Sequence, residues 1–273
     1  MHATGTADEP RGSRGSTWKS IEQALQEGKP KTAIEALTGI ELTATQEKAW
    51  DEATRAIATR IFAATGDRPA DDPERVIRLA AAIEKAPPET RGVLEAIRAN
   101  WTWGYFQVNR WRYQQRTQGS VLLPQGGADS KDLAKLAEWD LPTIVAEIRK
   151  RFAVAVGAPG SPERAALQKL PAAEWSAIIE KGTMADSYRP TVWDVIARDA
   201  IEFASSGERG LVAPEDVFEL VADSPALGTA DEFLKWQPEA DAQVTDTDSP
   251  LLDTIRLYRD LLAFHTGDAD RTA

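Results

Sequence analysis

Two histidines and no cysteine leave this 273-residue chain few groups with which to do covalent or metal chemistry. The missing thiols remove disulfides, thiolate nucleophiles, iron–sulfur clusters and cysteine-ligated zinc together. His2 stands in a polar opening segment, so a Ser-His-Asp relay can draw only on His265, and a multi-histidine metal site is ruled out. His265 follows Tyr258 and Leu262 on the apolar face of the last helix, with Asp260 and Asp268 near it in sequence. With no partner nucleophile in a motif, it reads as a residue that meets the C-terminal helix dipole or packs on a neighbour. No serine sits in a glycine-rich strand-to-helix elbow, and neither a P-loop nor a dinucleotide fingerprint is present. Asp246, Asp248 and Asp253 could draw a hard cation, but an EF-hand spacing fails: Leu251 stands where the turn glycine belongs, and Leu257 where the closing glutamate belongs. Asp248 or Ser249 instead caps the last helix, with Pro250 in its first turn. The expectation is a non-enzyme with no catalytic residue, cofactor site or metal site.

The most unusual stretch is WTWGYFQVNRWRYQQR, Trp101 to Arg116. Its interleaved rings and arginines could stack on single-stranded bases. However, 32 Lys+Arg against 43 Asp+Glu give a net charge of −11, which opposes phosphate binding as the main activity. On a helix, Ile97, Trp101, Tyr105 (or Gly104), Val108 and Trp111 share one broad face, which reads as a buried stripe with the arginines reaching to its rim. No nucleic-acid partner is expected. No membrane insertion is expected either, since no run approaches the roughly 20 apolar residues of a span and the opening residues lack the apolar core of an export signal.

The elements that position these residues are helices throughout, because alternation with a period of two never persists. Residues 1–17 read as a disordered tail. Trp18, Ile21 and Leu25 start a helix that Gly28 ends, and Pro30 starts a second arm that loosens after Ile40. A third helix is expected over about 45–64. Asp72-Pro73-Glu74 opens a fourth, Pro87-Pro88 breaks it, and the long aromatic helix follows to Arg116. Residues 117–132 read as the main linker between a first helical subregion, 18–116, and a second, 133–273. In the second, Asp140, Ser161, Pro171 and Pro190 each open a helix. Shorter pieces lie near 214–221 and 230–234, and the last helix carries Leu251, Ile255, Tyr258 and Leu262. The fold class is all-α: an irregular, solenoid-like array of antiparallel helical hairpins with about ten to twelve helices and no strict repeat period.

The segments GKPKTAIEAL (Gly28 to Leu37), Trp101 to Thr117, Trp139-Asp140-Leu141-Pro142, Lys181 to Phe203 and Asp216 to Pro225, with the DADRTA ending, resemble the N-terminal helical region of bacterial alpha-2-macroglobulin-like proteins. Asn109-Arg110-Trp111-Arg112 and Tyr188-Arg189-Pro190-Thr191-Val192-Trp193-Asp194 are the most specific pieces. The resemblance implies a non-catalytic scaffold within a family of endopeptidase inhibitors of the cell envelope or periplasm, whose partners are downstream macroglobulin domains and target proteases. It also implies a chain truncated at both ends, because an export signal and the serial β-sandwich domains are missing. The family's Cys-x-Glu-Gln thioester has a shadow in Ser20-Ile21-Glu22-Gln23, but a serine hydroxyl cannot make a thioester, and the segment lies on an amphipathic helix.

Trp101, Trp111, Arg110, Arg112, Trp175, Arg189, Pro190 and Trp193 are the expected structural anchors. The alternative is a free-standing helical-repeat adaptor for a protein or peptide. If Trp111 anchors the core, Trp111→Ala should lower stability by about 3–5 kcal/mol in urea melts.

Overall fold

The computed structural model describes residues 14–66, 68, 72–115, 128–129, 131–182, 185–208, 223–237 and 249–266. The fold is all-α, with α1 (Gly15–Gln26), α2 (Pro30–Gln46), α3 (Trp50–Thr65), α4 (Glu74–Lys85), α5 (Pro88–Gln114), α6 (Leu141–Val156), α7 (Pro162–Leu167), α8 (Val192–Ser205), α9 (Ala230–Lys235) and α10 (Pro250–His265). The extended pairing among the described residues is a single antiparallel bridge, Pro171 to Thr191. No helix among them is long and apolar enough to cross a membrane.

The chain divides into two compact units, Met1–Ile196 and Ala197–Ala273. This corrects the expected boundary at 117–132: α5 and α6, which flank that segment, pack against each other within the first unit. Proline and glycine in a connecting stretch signal a turn, but they do not decide whether the helices on either side share a core.

In the first unit each of α1 to α6 packs on the next, and α3 also touches α5. The first two connections have one construction. After α1, the amide of Gly28 donates to Leu25 O (3.1 Å) and that of Lys29 to Ala24 O (2.8 Å). After α2, Lys48 donates to Thr45 O (3.2 Å) and Ala49 to Ala44 O (2.8 Å). Both are Schellman caps, and the residue at the turn is left-handed in each, with φ of 68° at Gly28 and 58° at Lys48. The expected loosening after Ile40 does not occur. The hydroxyl of Thr43 donates back to Gly39 O (3.0 Å), so the threonines bond within the helix and α2 continues to Gln46. Trp18, Ile21, Ala33, Leu37, Ile40, Ala53 and Ala56 form the shared core of these helices.

A polar clamp joins α1 to α3. Glu52 is buried, accepts from Trp18 Nε1 (2.8 Å) and pairs with Arg14, while the Arg55 guanidinium lies 3.9 Å from the centre of the Trp18 ring. Arg14 thus binds beyond the expected start at Trp18, and α1 begins at Gly15. The rest of the expected tail, residues 1–13, lies outside the described residues.

Other starts follow their caps. Asp72 accepts from the Glu74 amide (2.9 Å), Asp140 from Thr143 (2.9 Å) and Ser161 from Arg164 (3.2 Å). Pro171 does not open the expected helix. Ala172 donates to Pro190 O (2.8 Å) and Val192 to Leu170 O (2.9 Å), so the chain is tethered to the segment before α8 and makes only a short 3₁₀ turn, Ala172–Trp175. In the second unit Trp236 and Leu252 are buried with Ala226, Phe233 and Ile255 packed on them, and Ser249 caps α10. The expected helix at 214–221 lies outside the described residues.

Lys48 accepts left-handed strain that glycine would not, and its side chain is exposed. Lys48→Gly is therefore expected to raise the unfolding free energy by about 1 kcal/mol, read from the urea midpoint at unchanged slope.

Candidate interaction face

Helix α5 carries the chemistry of this molecule, and its first half is buried nearly all round, from Val93 to Ala99. Two charged residues lie in that buried stretch, Glu95 and Arg98. Both are matched from α6. Arg98 Nη2 donates to Glu147 Oε1 (3.0 Å) and to Ala128 O (2.5 Å), and the Ala128 amide donates to Glu147 Oε2 (3.1 Å). Arg151 Nε lies 2.9 Å from Glu147 Oε1, and Arg151 Nη1 lies 3.4 Å from Glu95 Oε1. Burial lowers the Arg98 pKa, with neighbouring Arg151 adding to the effect and Glu95 and Glu147 opposing it. Burial likewise raises Glu147, against Arg151, the Ala128 amide and Arg98. Desolvation thus leads at both partners, so the network contributes less to net stability than its short distances suggest. These particular pairs form only where α5 and α6 meet in this register.

The second half of α5 has two unlike faces. Thr102, Trp103, Tyr105, Phe106, Asn109 and Tyr113 are buried. Trp103 meets Phe152 of α6 edge to face at 6.2 Å, Phe106 lies 5.7 Å from Tyr113, and the Tyr113 hydroxyl donates to Leu136 O (2.8 Å). The other face presents Trp101, Gly104, Val108 and Trp111, where Trp101 and Gly104 are half-buried and Trp111 is 59% exposed. The expected core stripe is therefore corrected: Tyr105 belongs to the core, but Val108 and Trp111 do not. Both faces have helical spacing and aromatic content, and the residues docked from outside the helix choose between them. Leu133, Leu136 and Trp139 are all buried, and Leu136 O holds the Tyr113 hydroxyl.

Beside Trp101 the exposed face extends onto α3 and α4. The Arg75 guanidinium of α4 lies 4.4 Å from the centre of the Phe62 ring and 5.7 Å from that of Trp101. Its Nε donates to Thr65 Oγ1 at 3.3 Å. Phe62 itself is half exposed. Burial against the rings lowers the Arg75 pKa. Among the described residues no carboxylate pairs with this cation.

The remaining expected anchors divide as follows. Trp193 and Trp175 are buried. Trp193 Nε1 donates to Val156 O (3.1 Å), and Arg164 stacks 4.4 Å from its ring centre. Thr191 and Asp194 cap each other at the start of α8: the Thr191 amide donates to Asp194 Oδ2 (2.9 Å), and the Asp194 amide donates to Thr191 Oγ1 (3.3 Å). Pro190 supplies the carbonyl that Ala172 binds. Arg189 is half-buried, and its Nη2 fills the space where a side chain on Gly182 would begin. Arg110 and Arg112 are half-buried, with Arg112 5.6 Å from the Trp111 ring centre. The structure therefore does not gather these residues into one site. Phe62 and Arg75 were not anticipated, and only an exposed phenylalanine late in α3 hinted at them.

Other sequence candidates have plain structural partners. Ser20 bonds within α1 and Glu22 pairs with Arg55. Asp253 pairs with Arg256, and His265 lies in the last turn of α10 with Phe264 at 4.7 Å. Among the described residues no group of three or more His, Cys, Asp or Glu could hold a metal ion.

No protein-family model matches the chain, and no curated protein or solved structure matches it.

Two outcomes follow from the geometry. Trp111→Ala should change stability by less than about 0.5 kcal/mol, in place of the loss expected for a core residue. Glu147→Ala should cost about 3–5 kcal/mol by leaving Arg98 and Arg151 uncompensated. Joint replacement of Glu147, Arg98 and Arg151 by leucine or methionine should restore most of that stability in chemical melts.

Proposed function

We propose that this chain is a non-catalytic helical scaffold whose α5 holds a preformed face for a protein partner. One observation carries the reading: the first half of α5 is buried and paired to α6, yet its second half keeps Val108 and Trp111 exposed beside a half-buried Trp101. Exposed aromatic side chains on a rigid element supply contact area with little ordering of the free protein, which is how interface anchors gain affinity.

The resemblance to the N-terminal helical region of bacterial alpha-2-macroglobulin-like proteins supplies the context we propose for this scaffold: part of an endopeptidase inhibitor of the cell envelope, with downstream macroglobulin domains as neighbours. It rests on the residue pieces quoted above, and several of these have fold-determining positions here: Asp140 as a cap, Trp193 in the core, and Thr191 with Asp194 as reciprocal caps. A free-standing adaptor is the second reading, and the open side of α5 favours it.

The scaffold reading is tested by incubating the protein with model esters, peptides and phosphoesters. No turnover is expected, and saturable turnover lost in His265→Ala would overturn it. The family context is tested by the flanking reading frame. A downstream bait segment with a Cys-Gln thioester is the expected result, and stop codons directly outside both ends would transfer the function to the adaptor.

A further inference from the structure

We infer that the α5 face is a docking site for an acidic, apolar peptide segment, in which a partner carboxylate pairs with Arg75 between Phe62 and Trp101 while aliphatic or aromatic side chains lie along Gly104, Val108 and Trp111. The inference rests on the scaffold reading and specifies its partner.

Three independent observations carry it. The first is the state of Arg75. Its guanidinium is stacked on two rings, its Nε is engaged by Thr65 Oγ1, and no described carboxylate neutralises it in a chain of net charge −11. With Nε engaged and no described carboxylate beside it, this guanidinium has its Nη pair left to meet a bidentate carboxylate next to the two rings. The charge missing from the site belongs to the partner.

The second is the apolar extent of the face. Trp101, Gly104, Val108 and Trp111 recur at helical spacing on one side of α5, and Trp101 to Trp111 spans about 15 Å along the axis. That length accommodates two to three turns of a helix, or a shorter extended segment, with its acid at the Arg75 end.

The third is Gly104. Glycine within a long helix lowers its stability relative to alanine, and here no packing requires it: a side chain at this position would meet nothing within 4 Å. The helix around it is regular, and the glycine has no positive φ to justify it. Its effect is to leave the helix surface bare between Trp101 and the pair Val108 and Trp111, with open space into which a side chain from outside can pack.

The decisive experiment displays a random peptide library against the immobilised full chain, with chain-free beads as control. Enriched peptides are expected to carry Asp or Glu beside an aliphatic or aromatic residue, and a synthesised representative to bind in a salt-dependent way. Arg75→Met keeps the stacked stem and deletes the charge, and should weaken that peptide about tenfold or more. Replacing the peptide's acid by its amide should cost the same factor against the original protein and almost nothing against Arg75→Met. Gly104→Leu should raise the urea midpoint while abolishing binding, which separates an occupied docking surface from a damaged fold.

No enrichment over control, enriched peptides without acids, or binding indifferent to both variants would overturn the inference. Tighter binding of oligothymidylate than of the peptide, or a concentration-dependent dimer lost in Trp111→Ala, would also overturn it and reassign the face to nucleic acid or to a second copy. The non-catalytic part of the scaffold reading is untouched by any of these results, because it is tested separately by the hydrolysis panel.

Discussion

The burial of Arg98 and Glu147 between α5 and α6 is the constraint from which the first unit takes its arrangement. Charges that have lost their water are tolerable only where each meets its counterpart in good geometry, so a sliding or rotated α5 would strand them. The Ala128 backbone contributes both a donor and an acceptor to the same cluster, which ties the chain entering the Leu133–Trp139 region to the helix pair. Once α5 is fixed in this way, its faces are assigned. One lies against α6, where Trp103 meets Phe152, and the other keeps Val108 and Trp111 exposed.

Much of this was legible from local rules. Caps and first-turn prolines gave the starts of α4, α5, α6, α7, α8 and α10: Asp72, Asp140, Ser161 and Ser249 accept from amides two or three residues on, Pro88 stands in the first turn of α5, and Pro190 lies just before α8. What could not be read depended on partners distant in sequence. One exception is local: the stretch expected to loosen after Ile40 stays helical, since the Thr43 hydroxyl bonds back to Gly39 O. Pro171 looked like a helix start and is a bridge residue, since its neighbours bond across to Pro190 and to Val192. Trp111 looked like core because both sides of α5 carry rings at the same period, and only the docking of Leu136 on Tyr113 breaks the tie. Phe62 and Arg75 come from different helices, so no single window of sequence contains their contact.

Several of the pieces singled out in the sequence have a common character. Trp193 bonds to the carbonyl ending α6, Thr191 and Asp194 close the start of α8, and Trp139 and Asp140 form the entry to α6. Each fixes a junction between helices. Motifs of this kind record how a chain turns and packs, and function enters through residues that the packing leaves uncovered.

The paired Schellman turns also bear on how the molecule assembles. With such short connections, α1, α2 and α3 make contacts between near neighbours in the chain, and contacts of low order form quickly because little loop entropy is lost in closing them. Arg98 and Glu147 stand 49 positions apart, so their meeting is slow by comparison. During synthesis from the N-terminus, the first three helices can therefore settle while α6 is still unmade, offering α5 a surface to lie on. The emergence of Glu147 then converts a loosely laid rod into a locked one.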